Sequence, residues 1–388
     1  MALLALYPVL GFYGTSFGIE LGQMTLFMGL LLVFFKRGLV LNKIDGHYIA
    51  YWAYIAIIYI LLADKVKVSL LIPGGVAFFV WSVLLWLLAP YFDFQIFKKY
   101  LRIVACISIV VFLLQELLFM LYSFRFSALL PISDRFYGQL SYVDMVLHQQ
   151  SARRSSSLFL EPAYFADFLL LSLTIEIFSN KIKNRICKVI IFLHIIVIFW
   201  LASGSGLFGL LVIILLWLIK GRTKKSKLLT WFIISLPFLV YALYWYSQTA
   251  IGTEVISRQS ELSQQDTSGY ARIFRGYDVY VTLPLINQIF GSPFSLLASH
   301  AASIGIDIEQ GAWTFNGFQQ VLMLYGIIGI SLLIWFYKKQ YTSGDTLSQV
   351  FIWLLLYLSM IEYIYLAPIM FIITLFLISR KFHGVIKK

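Results

Sequence analysis

Arginines gather in the polar stretches of a chain that is otherwise poor in charge. Arg153 and Arg154 are adjacent and lead into Glu161–Pro162, while Arg258, Arg272 and Arg275 share a second polar stretch with His300. A guanidinium presents planar, paired donors that grip phosphate oxygens two at a time, and a neighbouring carboxylate holds it in place. Arg153, Arg154 and Glu161 therefore have the makings of a phosphate clamp. Glu161–Pro162 also suits the first turn of a helix, where a negative charge and a missing N–H are both welcome. Arg272 and Arg275, three apart in ARIFRG, share a face if that piece is helical. Asp307 and Glu309 have the form of a metal-binding pair and equally that of a solvated loop face.

The frame that must position these groups is apolar. Hydrophobic residues make up 61% of the 388 positions, charged residues 12%, and the mean hydropathy is +0.86. A soluble chain of this length cannot hide so much apolar surface, so the sequence describes an all-α polytopic integral membrane protein. The net charge of +12 does not indicate nucleic acid, because the basic residues punctuate apolar runs and do not cover a soluble face. Spans of about 20 residues fall near 2–15, 20–36, 47–63, 70–89, 103–122, 158–179, 188–202, 206–220, 228–247, 314–337, 347–361 and 364–380. That is about twelve, in a single transmembrane domain over 1–388, the short 2–15 segment being either a span or a re-entrant piece.

Most basic residues lie in alternate connections, around Lys36–Lys43, Lys98–Arg102, Lys181–Lys188, Lys220–Lys227, Lys338–Lys339 and after Arg380. The positive-inside rule makes those cytoplasmic and puts both termini inside. Two long connections then remain outside, 123–157 and 248–313, and they carry the arginines. Cys106 lies in an apolar run and Cys187 in a basic loop, which argues against a disulfide. The first segment lacks the basic start and cleavage site of a signal peptide and is expected to be retained. With no nucleotide-binding loop on the cytoplasmic side, a group transferred here must arrive already activated.

Ionisable residues inside spans are costly and draw attention by default. Asp167, under two turns beyond Glu161, is expected to face the same cavity. Glu176 and Glu362 sit near span ends, where headgroups solvate them, and His194 reads as a satisfied interior histidine.

The pieces RRSSSLFLEPAYFADF (153–168), LASGSGLFG (201–209), SGYARIFRGYDVY (268–280) and FNGFQQVLMLYGIIG (315–329) occur in an order that resembles the Wzy-type polysaccharide repeat-unit polymerases. More distantly they resemble the O-antigen ligases that share that fold. Arg258 and Gly269 are separated by ten residues, a spacing similar to the arginine motif of the family's outside loops. Where the family often has His-Asn, this chain has Phe315–Asn316, with His300 upstream.

The resemblance implies a GT-C-like fold in the bacterial cytoplasmic membrane and a metal-independent glycosyl transfer on its outer face, without cofactor. Donor and acceptor would be oligosaccharides on undecaprenyl pyrophosphate, with membrane lipids around them and a chain-length regulator as a further partner. In that setting Arg258, Arg272 and Arg275 stabilise the leaving pyrophosphate, joined by Arg153 and Arg154. Glu161, Asp278 and His300 are alternative bases, and Tyr270, Tyr277, Trp313 and Asn316 contact the sugars. The greasy stretch LPLINQIFGSPFSLLA would lie along the membrane interface and receive the lipid tail. The competing functions are transfer to a different acceptor, as in a ligase, and non-enzymatic flipping of the same lipid-linked sugars.

Overall fold

The computed structural model describes residues 1–14, 19–38, 45–61, 75–132, 135–136, 141–151, 154–179, 185–220, 270–306, 315–361 and 367–380, with 244, 248 and 253 as single positions. Its helices are α1 (Ala2–Leu10), α2 (Leu21–Arg37), α3 (Gly46–Leu61), α4 (Gly75–Tyr91), α5 (Phe94–Tyr122), α6 (Tyr142–Ser151), α7 (Pro162–Ser179), α8 (Arg185–Leu201) and α9 (Gly204–Lys220). They continue with α10 (Gly276–Thr282), α11 (Leu285–Phe290), α12 (Phe294–Ser303), α13 (Gly317–Ser343), α14 (Thr346–Ser359) and α15 (Pro368–Ser379). Three of them, α5, α7 and α13, are long and apolar enough to cross a membrane, and α2, α3, α4, α9, α14 and α15 are shorter apolar helices.

The last described helix is the hub. α15 is apolar on every side, and every one of its residues is buried, as an all-round apolar helix requires. Phe371 meets Tyr7 of α1 and Trp81 of α4 edge-on, each at 5.4 Å between ring centroids. Phe376 meets Phe351 of α14 in the same way at 4.9 Å. Around this hub α7 packs on α8, α9 and α14. Gly206 brings α9 close to α7: a Cβ there would stand 2.8 Å from the Cβ of Ala166.

Several expected spans differ from the observed helices. The 2–15 segment is not one span: the helix stops at Leu10, and Tyr13–Gly14 (β1) pairs antiparallel with Arg135–Phe136 (β2). The chain's start is thereby tied to the first arginine-bearing connection. The 103–122 span begins earlier, at Phe94, because Asp93 caps it by accepting from the N–H groups of Gln95 (2.9 Å) and Ile96 (3.0 Å). Cys187 lies within the first turn of α8, buried, and not in a loop; it and Cys106 are both free. Glu362 and most of the 228–247 span fall outside the described residues.

α13 is not a continuous helix. Gly326 has φ +65° and ψ −169°, a conformation open essentially to glycine alone, and the helix breaks there.

Candidate functional site

The described candidate residues and the groups around them fall into two clusters on different parts of the frame. The first is built on α5, α7 and α8. Pro162 starts α7, where a residue without an N–H loses nothing, and Glu161 precedes it, exposed. The stretch before it is irregular yet buried: Ser155, Ser156 and Ser157 are 3%, 3% and 0% exposed. Irregular backbone among apolar helices must find partners for its polar groups, and here neutral side chains supply them. The Ser157 N–H donates to Gln115 Oε1 (2.9 Å), and its hydroxyl donates to the Ser108 carbonyl (2.7 Å). Gln149 Nε2 donates to Ser156 Oγ (2.8 Å) and to the Phe159 carbonyl (2.6 Å) while its oxygen accepts from Ser127 Oγ (2.8 Å). Ser108 lies midway along α5, about 20 Å along the axis from the helix's Tyr122 end at 1.5 Å per residue. The RSSS segment (154–157) therefore sinks between helices, forming a recessed polar floor.

Arg154 closes one side of that floor. Its Nη1 donates to the carbonyls of Ala202 (2.7 Å) and Leu201 (3.4 Å), the stranded acceptors at the end of α8, where a cation also suits the helix dipole. Ser157 and Ala202 hold left-handed φ of +56° and +46°, uncommon for residues with a Cβ. Both strained positions thus belong to the same floor. Ser203 and Ser205 share a hydrogen bond of 2.9 Å beside it, and Tyr357 donates to the Ser205 carbonyl.

Arg125 is a member of this region that the sequence reading left out of the site. It is buried, 3.7 Å above the centroid of the Phe119 ring and 3.7 Å from Glu116 Oε1. Gln115 and Gln149 were missed as well. Neutral amides give no charge signal, and only their burial beside an irregular turn reveals them.

The second cluster is a cap of short helices seated on the start of α13. A π turn, Ala271–Arg275, runs into α10. Tyr270 donates to Asp278 Oδ2 at 2.7 Å, so a candidate sugar-contacting ring and a candidate base occupy one another. Arg275 is half-buried, Tyr277 is exposed, and His300 Nε2 lies 2.9 Å from Thr282 Oγ1. The Tyr280 phenol, raised above its ordinary value by burial, remains a donor and bonds the Gln288 carbonyl at 3.0 Å. Asn316 caps α13: its side-chain oxygen accepts from the Gln319 N–H (2.9 Å), and Gln319 Oε1 accepts from the Asn316 N–H (3.3 Å). Gln319 Nε2 then reaches the Ile273 carbonyl (2.8 Å), locking the π turn to the helix. Gly276 makes room for it; a Cβ there would stand 2.7 Å from the Gln319 Cβ. Val279, Leu283, Leu297, Ala301, Phe315 and Met323 form the cap's apolar core.

Arg153, Arg258, Trp313, Asp307 and Glu309 lie outside the described residues, as does the side chain of Arg272, whose backbone is in the π turn. Among the described residues no group of three or more His, Cys, Asp or Glu could hold a metal ion.

The ionisable residues within helices are placed differently from expectation in two cases. Glu176 is not solvated by headgroups: it is 1% exposed and accepts two hydrogen bonds of 2.7 Å from Arg102 Nε and Nη2. Asp167 is fully buried while Glu161 is exposed, so the two do not share an open cavity. His194 is an interior residue, with Nδ1 2.7 Å from the Ile190 carbonyl and Nε2 3.0 Å from Ser172 Oγ.

No individual curated protein matches the chain. The family described as WcaD colanic acid polymerase matches residues 2–382, which takes in the apolar frame, the recessed floor and the cap together. The chain thus belongs to the WcaD colanic acid polymerase family, as a membrane protein that polymerises polysaccharide.

Proposed function

We propose that this polymerase joins oligosaccharide repeat units carried on undecaprenyl pyrophosphate, at the outer face of the bacterial cytoplasmic membrane. The observation that carries the reading is the family match over residues 2–382. In this reading the chain is one GT-C-like transmembrane domain of about twelve spans with both termini cytoplasmic. Connections 123–157 and 248–313 lie outside and form the two walls of one cleft.

A hydroxyl on the acceptor's terminal sugar attacks the anomeric carbon of the donor chain. The new glycosidic bond forms as the bond from that carbon to the pyrophosphate oxygen breaks. The hydroxyl proton goes to a base, and the electron pair leaves with the lipid pyrophosphate. Arginine is suited to the growing negative charge because its donors are preorganised and permanently charged, so the reaction needs no metal. Arg258, Arg272 and Arg275 take that role, and Arg153 and Arg154 line the opposite wall. Arg154 fixes that wall through the end of α8. Glu161, Asp278 and His300 remain the candidate bases. Tyr270, Tyr277, Trp313 and Asn316 border the sugars, and the exposed Leu285, Ile286 and Phe290 suit a lipid tail. A chain-length regulator is a fitting further partner.

The test is reconstitution of the purified chain with a purified lipid-linked repeat unit. A ladder of products supports the reading. Transbilayer movement of the lipid without new glycosidic bonds overturns it, and a single transfer to an unrelated acceptor would mark a ligase. Within that assay Arg272→Ala is expected to lose elongation by about 100-fold or more, on the scale of one removed charge-stabilising donor, with its membrane level unchanged. Full-length polymer from that variant would remove Arg272 from the leaving-group role.

A further inference from the structure

The break in α13 is filled from outside the helix. Gly291, just past α11, has φ +92° and lies against the broken turn: a Cβ on it would stand 2.6 Å from the Tyr325 Cα, and a Cβ on Gly326 would stand 2.6 Å from the Gly291 nitrogen. The two glycines interlock backbone to backbone, and the chain around Gly291 is inserted into the helix. Such a break strands carbonyls in the turn before it, and irregular backbone among apolar helices must have them satisfied. The Ser292 N–H takes the Met323 carbonyl at 2.9 Å. The Tyr325 carbonyl is taken from a third element, by the hydroxyl of Tyr54 on α3, at 3.0 Å. The same hydroxyl lies 2.9 Å from the Phe290 carbonyl, at the end of α11.

The Gly-x-x-Gly of α13 has a distinct use for each glycine. Gly326 makes the break, and Gly329 leaves room for Tyr325 as the helix resumes: a Cβ there would stand 2.3 Å from the Tyr325 Cβ, and only in ordinary contact with Tyr54 Cε1 at 3.4 Å. Tyr54 thus lies against the resumed turn and spans both sides of the junction with one donor.

We propose that Tyr54 is a positioning residue for polymerisation, its hydroxyl clasping the inserted segment 284–293 into the break of α13. The cap that carries Asp278, His300 and the π turn meets α13 at the Asn316–Gln319 lock and at this junction, where the clasp adds to the glycine interlock and the Ser292–Met323 hydrogen bond. Without the clasp the cap keeps its apolar core, its lock and that hydrogen bond, but the inserted segment is held less firmly at its height over α13. The proposal rests on the reading of the 270–306 cap as one wall of the active cleft.

Tyr54→Phe keeps the ring and removes only the donor. In the reconstituted polymerase it is expected to lower kcat roughly tenfold, the size of one hydrogen bond's worth of misplacement, while KM for the lipid-linked acceptor stays within about twofold. Hydrogen exchange on the same protein should quicken at 284–293 and 321–327 and stay unchanged in α5, α7 and α15. An unchanged kcat overturns the positioning role. Exchange that is unaltered at the junction, or that rises throughout the bundle, overturns the clasp. The exchange measurement needs no substrate, so a wild-type protein that makes no polymer sinks the functional reading and the positioning role with it, while local quickening still identifies the clasp.

Discussion

Replacing Gly326 with alanine is expected to destabilise the polymerase by about 2–6 kcal/mol, the sum of a glycine-only backbone and an overfilled contact. The backbone at φ +65° and ψ −169° excludes a Cβ on conformational grounds alone. The added carbon would also press on the Ile289 carbonyl and the Gly291 nitrogen, which are main chain and cannot swing aside as a side-chain tip can. Membrane-extracted Gly326→Ala should melt well below the wild type and be recovered in smaller amount. The inserted segment around Gly291 should become accessible to protease first.

A comparison at Gly305 separates the two causes. Gly305 also has a left-handed φ, +81°, but nothing stands within 4 Å of where its Cβ would be. Gly305→Ala should therefore cost only the local conformational penalty, about 1–2 kcal/mol. If the two alanine variants melt together, the interlock contributes nothing and α13 tolerates a straightened backbone at Gly326.

The interlock also shows where sequence reasoning reaches its limit. Apolar runs and basic punctuation mark α3, α5, α7, α9, α13, α14 and α15, because burial and insertion leave a period and charge pattern that composition records directly. The Glu161–Pro162 helix start follows from capping chemistry, which is local in sequence, whereas Asn316, expected at the sugars, proves to cap α13. Gly326 and Gly329 stand in the matching piece FNGFQQVLMLYGIIG, yet what they do depends on Gly291 and Tyr54, which are distant in the chain. The recessed floor escaped for a similar reason: Gln115, Gln149 and the three serines carry no charge, and their importance lies in which buried backbone groups they serve. Glu176 was misplaced because its distance from a span end is visible in the sequence, whereas its partner Arg102, on another helix, is not. The arginine-bearing connection 123–157 was legible as polar, but not that its final turn sinks between α5, α7 and α8.

That misplaced glutamate supports the last expectation, which concerns the basic end of the bundle. Arg102 of α5 and Glu176 of α7 form a two-point ion pair, and Cys187 of α8 places its sulfur 3.5 Å from Glu176 Oε2. The side chains are unequal in their access to solvent, 34% for Arg102 and 2% for Glu176. Removing the arginine strands a buried carboxylate, and single removals from buried pairs cost about 3–5 kcal/mol. Arg102→Met should fall near the low end of that range, because the arginine is partly solvated. Glu176→Met should cost less, since the long arginine side chain can carry its charge outward to water while its stem stays packed. The double variant Arg102→Met/Glu176→Met should be closer to wild type than Arg102→Met alone, because no buried charge is left uncompensated. Unfolding of the four proteins in the same mixed micelles measures this directly, with a coupling of about 1–3 kcal/mol expected for groups in contact. Costs that simply add would mean that the pair acts as two independent residues, and equal costs for the single variants would mean that burial does not distinguish the partners. The expected order, with arginine loss worse than glutamate loss and the double variant milder than arginine loss alone, makes the pair a device for fixing how α5 meets α7. The recessed floor higher on those helices inherits its geometry from that contact, since Ser108 and Gln115 of α5 hold the turn that leads into α7.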